Sequence, residues 1–134
     1  MQGQHHIDHG LKVAKAFGIT ARSPEWGKVR AAHLAQHPKC EACDISGEGK
    51  VEVHHIMPFH LNPSLELDPT NLITLCESVR VEEVTNDHHH LIGHLGDWKA
   101  YNPDVTTDVI ALFGILVNDP RWPALEKKRK YNGG

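Results

Sequence analysis

A chain of 134 residues with 40% hydrophobic and 6% aromatic content has room for one domain with a small core, so a structural metal would be a useful second source of stability. Its net charge of −3, with histidine counted neutral, excludes a global positive field drawing in a polyanion; nucleic-acid contact would need local basic patches. Three cysteines, two of them in Cys40-Glu-Ala-Cys43, read as metal binding or redox chemistry rather than a disulfide framework. Twelve histidines suit tags, metal sites or pH-sensitive surfaces, and their positions must decide. The N-terminus lacks the apolar core of a signal peptide, and the longest apolar run, Val109 to Val117, is too short to span a bilayer. The expectation is a soluble protein of a reducing, cytoplasmic compartment with no membrane partner.

Residues 1–22 read as an arm. Ile7, Leu11, Ala14 and Phe17 recur at helical spacing, Gly18 suits a helix end, and His5, His6 and His9 read as exposed side chains near a terminus. Ser23-Pro24-Glu25 starts a helix: Ser23 can cap, Pro24 fits the first helical position, and Glu25 complements the dipole. Trp26, Val29, His33 and Leu34 form its inward stripe, and Pro38 ends it. Arg22, Lys28 and Arg30 read first as a solvated face and second as a DNA contact. After Cys40 and Cys43 comes the glycine-rich turn Ser46-Gly-Glu-Gly-Lys50, then a strand over Val51–Ile56 with alternating β-branched residues. Pro58, Pro63 and Pro69 make 57–70 a loop, and Leu72–Leu75 is a second strand ending at Cys76. A polar connection over 77–87 leads to a short helix opened by His88-His89-His90, with Asn86 or Asp87 as cap and Gly93 and Gly96 keeping it short. A helix over 104–117, apolar on nearly all sides and ending around Asn118, reads as core, with a homodimer interface second. The basic tail Glu126-Lys-Lys-Arg-Lys130 is expected to fray, and its lysines join the DNA-contact candidates.

Four features need one explanation: the C-x-x-C, a His-His pair ending a strand, Asn71 in a tight loop, and a histidine cluster opening a helix. A divalent metal with a histidine base accounts for all four. Metal ligands must be neutral imidazole, thiolate or carboxylate, and must converge from different elements. Consecutive strand residues point to opposite faces, so if His54 faces a metal, His55 faces elsewhere and is free to act as a base. Phosphodiester hydrolysis needs that division: a base to activate water and a cation to stabilise charge on phosphorus and on the leaving oxygen.

From about Arg22 to Val105 the sequence resembles the HNH endonucleases. The residues that carry the resemblance are Trp26-Gly-Lys-Val-Arg30, Cys40-Glu-Ala-Cys43, Val53-His-His-Ile-Met-Pro58, Asn71-Leu-Ile-Thr-Leu-Cys76, and His89 through Gly93-His94-Leu-Gly96. The order His-His, Asn, His is the family signature, and flanking cysteine pairs mark its zinc-stabilised branch. The resemblance implies His54 as first metal ligand, His55 as general base, Asn71 as the residue tying the ββ loop, His89 as the ligand from the helix and His94 as a third. It also implies cleavage of DNA to 5′-phosphate and 3′-hydroxyl ends with a divalent ion such as Mg²⁺, Mn²⁺, Ni²⁺ or Zn²⁺. Where that branch carries a fourth cysteine this chain has His88, so Cys40, Cys43, Cys76 and His88 would form a closed Cys₃His structural zinc site. The resemblance points to His89 as the helical ligand; α-helical spacing favours His90, four residues before His94.

The expected architecture is α+β: a ββα-metal (HNH/His-Me finger) core with a zinc knuckle, flanked by helices. Residues 1–22 form the arm, 23–105 the nuclease domain, and 106–134 a C-terminal helix and tail packing on it. The rival reading is a non-catalytic zinc module that binds DNA or protein; a Cys/His redox protein leaves Asn71 and the histidine helix unexplained. His60 receives no role, and Trp98 and Tyr101 read as core rather than base-stacking residues. With an unperturbed His55, activity is expected to fall below about pH 6.5.

Overall fold

The computed structural model describes residues 22–81 and 84–131, so the helix expected over Ile7–Phe17 and the arm histidines His5, His6 and His9 lie outside the described residues. The site rests on an antiparallel hairpin. Strand β1 (Val51–His55) pairs with β2 (Leu72–Cys76) in a register that sets Val51 opposite Cys76 and His55 opposite Leu72. β2 is buried along its whole length. The loop between them folds into two 3-10 turns, Pro63–Leu65 and Pro69–Asn71, each opened by a proline whose fixed φ suits that position. Asp68 caps the second, its Oδ1 accepting from the Thr70 amide at 2.9 Å.

The expected polar connection over 77–87 instead contains a second hairpin, β3 (Val79–Val81) with β4 (Val84–Asn86). Valine and threonine favour extended backbone, but three-residue strands are too short for alternation to show in sequence. A third pair, β5 (Ala100–Tyr101) with β6 (Lys130–Tyr131), ties the chain's end to its middle. The tail therefore does not fray. Leu125 enters the core, Lys128 Nζ donates to Asp108 at 2.8 Å, and Arg129 Nε donates to the Leu95 carbonyl at 2.8 Å.

Helix α1 spans Trp26–Gln36 and starts later than its cap signal suggests. Ser23 Oγ accepts from the Glu25 amide at 3.1 Å, so it closes a turn ahead of the helix. The Trp26, Val29, His33 and Leu34 stripe is half-buried, and α1 packs against β1. Helix α2, Val105–Ala111, stops well short of Asn118. Gly114 turns at φ +75 and its amide donates to the Ala42 carbonyl at 2.9 Å, drawing the chain towards the cysteine segment. Nor is this segment buried all round: Val105, Val109 and Leu112 enter the core, while Ile110 (77%) and Phe113 (50%) face solvent. Short helices and small antiparallel pairs make the architecture α+β. No helix of the described residues is long and apolar enough to cross a membrane.

Candidate metal centre

Among the described residues, two groups of side chains could each hold a metal ion: Cys40, Cys43, Cys76 and His88, and His54, His89 and His94. Within each group the ligand atoms lie within 4.8 Å of one another.

The first group begins at a tight turn. The Cys43 and Asp44 amides both donate to the Cys40 carbonyl, at 3.3 and 2.9 Å, and Asp44 adopts φ +62. The end of β2 brings Cys76, and the residue before the histidine turn brings His88. His88 Nδ1 lies 3.6 Å from Cys40 Sγ and 3.3 Å from Cys76 Sγ. Tetrahedral zinc with ordinary Zn–S and Zn–N lengths gives an S···N edge of about 3.6 Å, so the donor set fits such an ion. None of the three cysteines is in a disulfide. Hydrogen bonds from Cys40 and then Cys76 hold the Cys43 thiol down to about 3. The same partnership with Cys40 and Cys43 pushes the Cys76 thiol up. One sulfur thus carries negative charge that its neighbours solvate, as suits a cation-binding cluster. Trp122 stacks on the His88 ring with centroids 6.2 Å apart and planes at 15°, fixing the C-terminal segment over this group.

The second group depends on a local departure from the α-helix. Residues His89–Gly93 form a π-helical turn, in which the His94 amide donates to the His89 carbonyl at 3.1 Å. Widening the turn lets residues five apart share a face, as α-helical spacing does not. His89 and His94 then meet His54 from β1 with ring centroids 4.8–5.0 Å apart, all three residues buried. His90 is turned away. Its amide donates to Asp87 Oδ1 at 2.9 Å, so Asp87 provides the turn's cap, and its ring lies on Trp98. Trp98, half-buried, also packs against His89 and His94. Gly93 permits the approach: a Cβ there would lie 3.1 Å from His54 Cε1 and 3.2 Å from its Nε2.

Tautomers follow from the hydrogen bonds. His94 Nδ1 donates to the Ala100 carbonyl at 2.7 Å, and His89 Nδ1 donates to Glu77 Oε1 at 2.9 Å. Both rings therefore present the Nε2 lone pair, which is the form a metal requires. Three imidazole donors suit zinc, nickel or copper better than magnesium, which prefers oxygen donors. Glu77 had no role in the sequence reading; the available signal was its place directly after Cys76, mirroring His89 directly after His88.

His55 takes the opposite face of β1 from His54. Its Nε2 donates to the Glu66 carbonyl at 2.9 Å and its ring lies 4.5 Å from that of Trp26. Nδ1 is thus the basic nitrogen. Burial, then the positive charge of Arg22, lowers its pKa to about 4 despite the Glu66 carbonyl. The expected loss of the base near pH 6.5 is therefore corrected downward. Asn71 spans the loop beneath: its Oδ1 accepts from the Met57 amide at 2.8 Å, and its Nδ2 donates to the Met57 and Leu65 carbonyls at 3.1 and 3.2 Å. Arg22 sits 4.7 Å over the Phe59 ring, its own pKa lowered by burial.

Several basic residues are already engaged. Arg30 donates to Glu52 at 2.8 Å, and Lys128 lies between Asp108 and Asp104. Lys28, Lys127 and Lys130 are exposed.

No curated protein and no solved structure matches the chain. The family model described as HNH endonuclease matches residues 40–78, from the cysteine turn through His54, His55 and Asn71 to just past Cys76. His88, His89 and His94 lie beyond the match, yet the fold returns them to it. Residues 40–78 are thus similar to the HNH endonuclease family, and the Cys/His cluster is consistent with its zinc-stabilised branch.

Proposed function

We propose that the chain is a metal-dependent endonuclease that hydrolyses phosphodiester bonds of DNA. In this reading His55 is the general base, Asn71 holds its loop, and His54, His89 and His94 bind the catalytic ion. Cys40, Cys43, Cys76 and His88 hold a structural zinc. The observation that carries the reading is the split at β1: His54 turns into the three-histidine cluster while its neighbour His55 is held on the other face by the Glu66 carbonyl.

His55 Nδ1 takes a proton from water as the water oxygen forms a bond to phosphorus. The bond from phosphorus to the 3′ oxygen then breaks, and the leaving oxygen takes a proton from solvent, giving 5′-phosphate and 3′-hydroxyl ends. His54, His89 and His94 would hold a divalent ion, which would supply Lewis-acid stabilisation of the charge that develops on the phosphate. Asn71 keeps the loop closed so that the Glu66 carbonyl stays on His55. Arg22, close enough to depress His55, adds positive charge beside that base.

The test is plasmid cleavage with EDTA and with added Mg²⁺, Mn²⁺, Ni²⁺ or Zn²⁺, comparing wild type with His55→Ala. A positioned base contributes about 10²–10⁴-fold, so His55→Ala should lose that much rate while keeping zinc, fold and DNA binding. Equal cleavage by His55→Ala at saturating metal would reject this mechanism. DNA binding without metal-dependent cleavage in wild type would favour a non-catalytic zinc module.

A further inference from the structure

Two consecutive pairs of residues run side by side between the clusters. Cys76 and His88 face the cysteine group, their Sγ and Nδ1 3.3 Å apart, and the His88 amide donates to Cys76 Sγ at 3.4 Å. The next residue of each pair, Glu77 and His89, meets on the histidine side, with Nδ1 and Oε1 2.9 Å apart. Both of these side chains are nearly sealed from solvent, at 4% and 0% exposure. Glu77 is held in place by its backbone, whose amide donates to the Lys50 carbonyl at 2.9 Å.

We infer that Glu77 is a positioning residue for metal capture: its carboxylate fixes the ring of His89 with the proton on Nδ1 and strengthens Nε2 as a donor toward the ion. A carboxylate only accepts hydrogen bonds, so the contact selects the tautomer that leaves Nε2 free of a proton. Its negative charge, in a site shielded from water, also raises the electron density that the imidazole offers a cation. His94 Nδ1 donates to the neutral Ala100 carbonyl, whereas His89 Nδ1 meets a carboxylate. The inference rests on reading His54, His89 and His94 as a metal site.

The experiment titrates Ni²⁺ by calorimetry into protein whose cysteine cluster already holds zinc, using wild type, His54→Ala, Glu77→Ala and Glu77→Gln. Zinc content and circular dichroism are checked in each. Wild type should bind one further ion, and His54→Ala should abolish that event. Loss of a partner of this kind weakens metal affinity by about 10–100-fold, the fall expected for Glu77→Ala with zinc and fold retained. Glu77→Gln, which keeps an acceptor oxygen without the charge, should lose less. The ¹⁵N shifts of His89 should report protonation at Nδ1 in wild type and its loss in Glu77→Ala. Wild-type Ni²⁺ affinity in Glu77→Ala would overturn the inference while leaving the metal site intact. If the alanine variant does not fold, wild-type affinity in Glu77→Gln overturns it instead. No His54-dependent ion in wild type would overturn the metal reading, and this inference with it.

Discussion

The two clusters share backbone but differ in the number and kind of their donors. The cysteine group draws four donors from three segments, three of them sulfur, and can close a tetrahedron around one ion. The histidine group draws three donors from β1 and one π-helical turn, with half-buried Trp98 against it. A closed set of four stabilises, whereas a set of three leaves a position for water or substrate. Because Cys76–Glu77 and His88–His89 run through both groups, the cysteine site would, under the proposed function, double as the scaffold of the reactive one. That economy suits a chain whose apolar core is small.

The largest expected effect tests this contrast directly. Cys40→Ser should remove zinc and a folding contribution on the order of ~10 kcal/mol, leaving a largely unfolded chain. His54→Ala should keep zinc and cooperative melting while losing cleavage. Zinc analysis and thermal melts of the two variants read the difference; equal destabilisation would erase the distinction between scaffold and reactive site.

A middle-sized effect is expected at Gly93, where the π-helical turn touches β1. An alanine Cβ would lie 3.1–3.2 Å from the His54 ring and 3.2 Å from Leu75 Cδ1. Overpacking of this kind costs about 1–3 kcal/mol, and here the ring that must yield belongs to the histidine group. Gly93→Ala should therefore weaken Ni²⁺ binding at that group while the cysteine site keeps its zinc. Unchanged Ni²⁺ affinity would show that the close approach is not what sets the site.

The smallest effect concerns pH. His55 stays neutral in the native protein down to about 4, through burial first and Arg22 second. A fall in cleavage between pH 6.5 and 5 should then not come from protonation of His55. In the unfolded chain His55 protonates near its ordinary 6.5, so the unfolded state binds more protons as pH drops through that value and native stability declines. From pH 7 to 5.5 this amounts to about 1 kcal/mol, present in wild type and absent in His55→Gln. Urea midpoints at the two pH values check it; equal declines would mean that His55 titrates normally in the folded protein.

Residue chemistry and strand periodicity made much of the site legible in the sequence. Alternation along Val51–His55 separates His54 from His55 whatever surrounds them, and the Cys40–Cys43 spacing already describes one turn. β1 and β2 were readable because β-branched runs stood between glycine and proline signals. The short β3–β4 hairpin was not, since three residues carry no period. The tail looked frayed because its lysines and arginine are charged, and only tertiary partners such as Asp108 and the Leu95 carbonyl reveal why it stays down.

The sequence by itself determined the kinds of candidate donor, their order, and the opposite facing of His54 and His55. Tertiary structure decided that His89 rather than His90 joins His54 and His94. An α-helical period of 3.6 residues favours partners four apart, but the His94 amide bonds back to the His89 carbonyl, five residues earlier. That wider turn packs against β1 and β2, with Gly93 bare against His54. Helical periodicity alone could not select it, because the choice of turn was made by the surface it packs on.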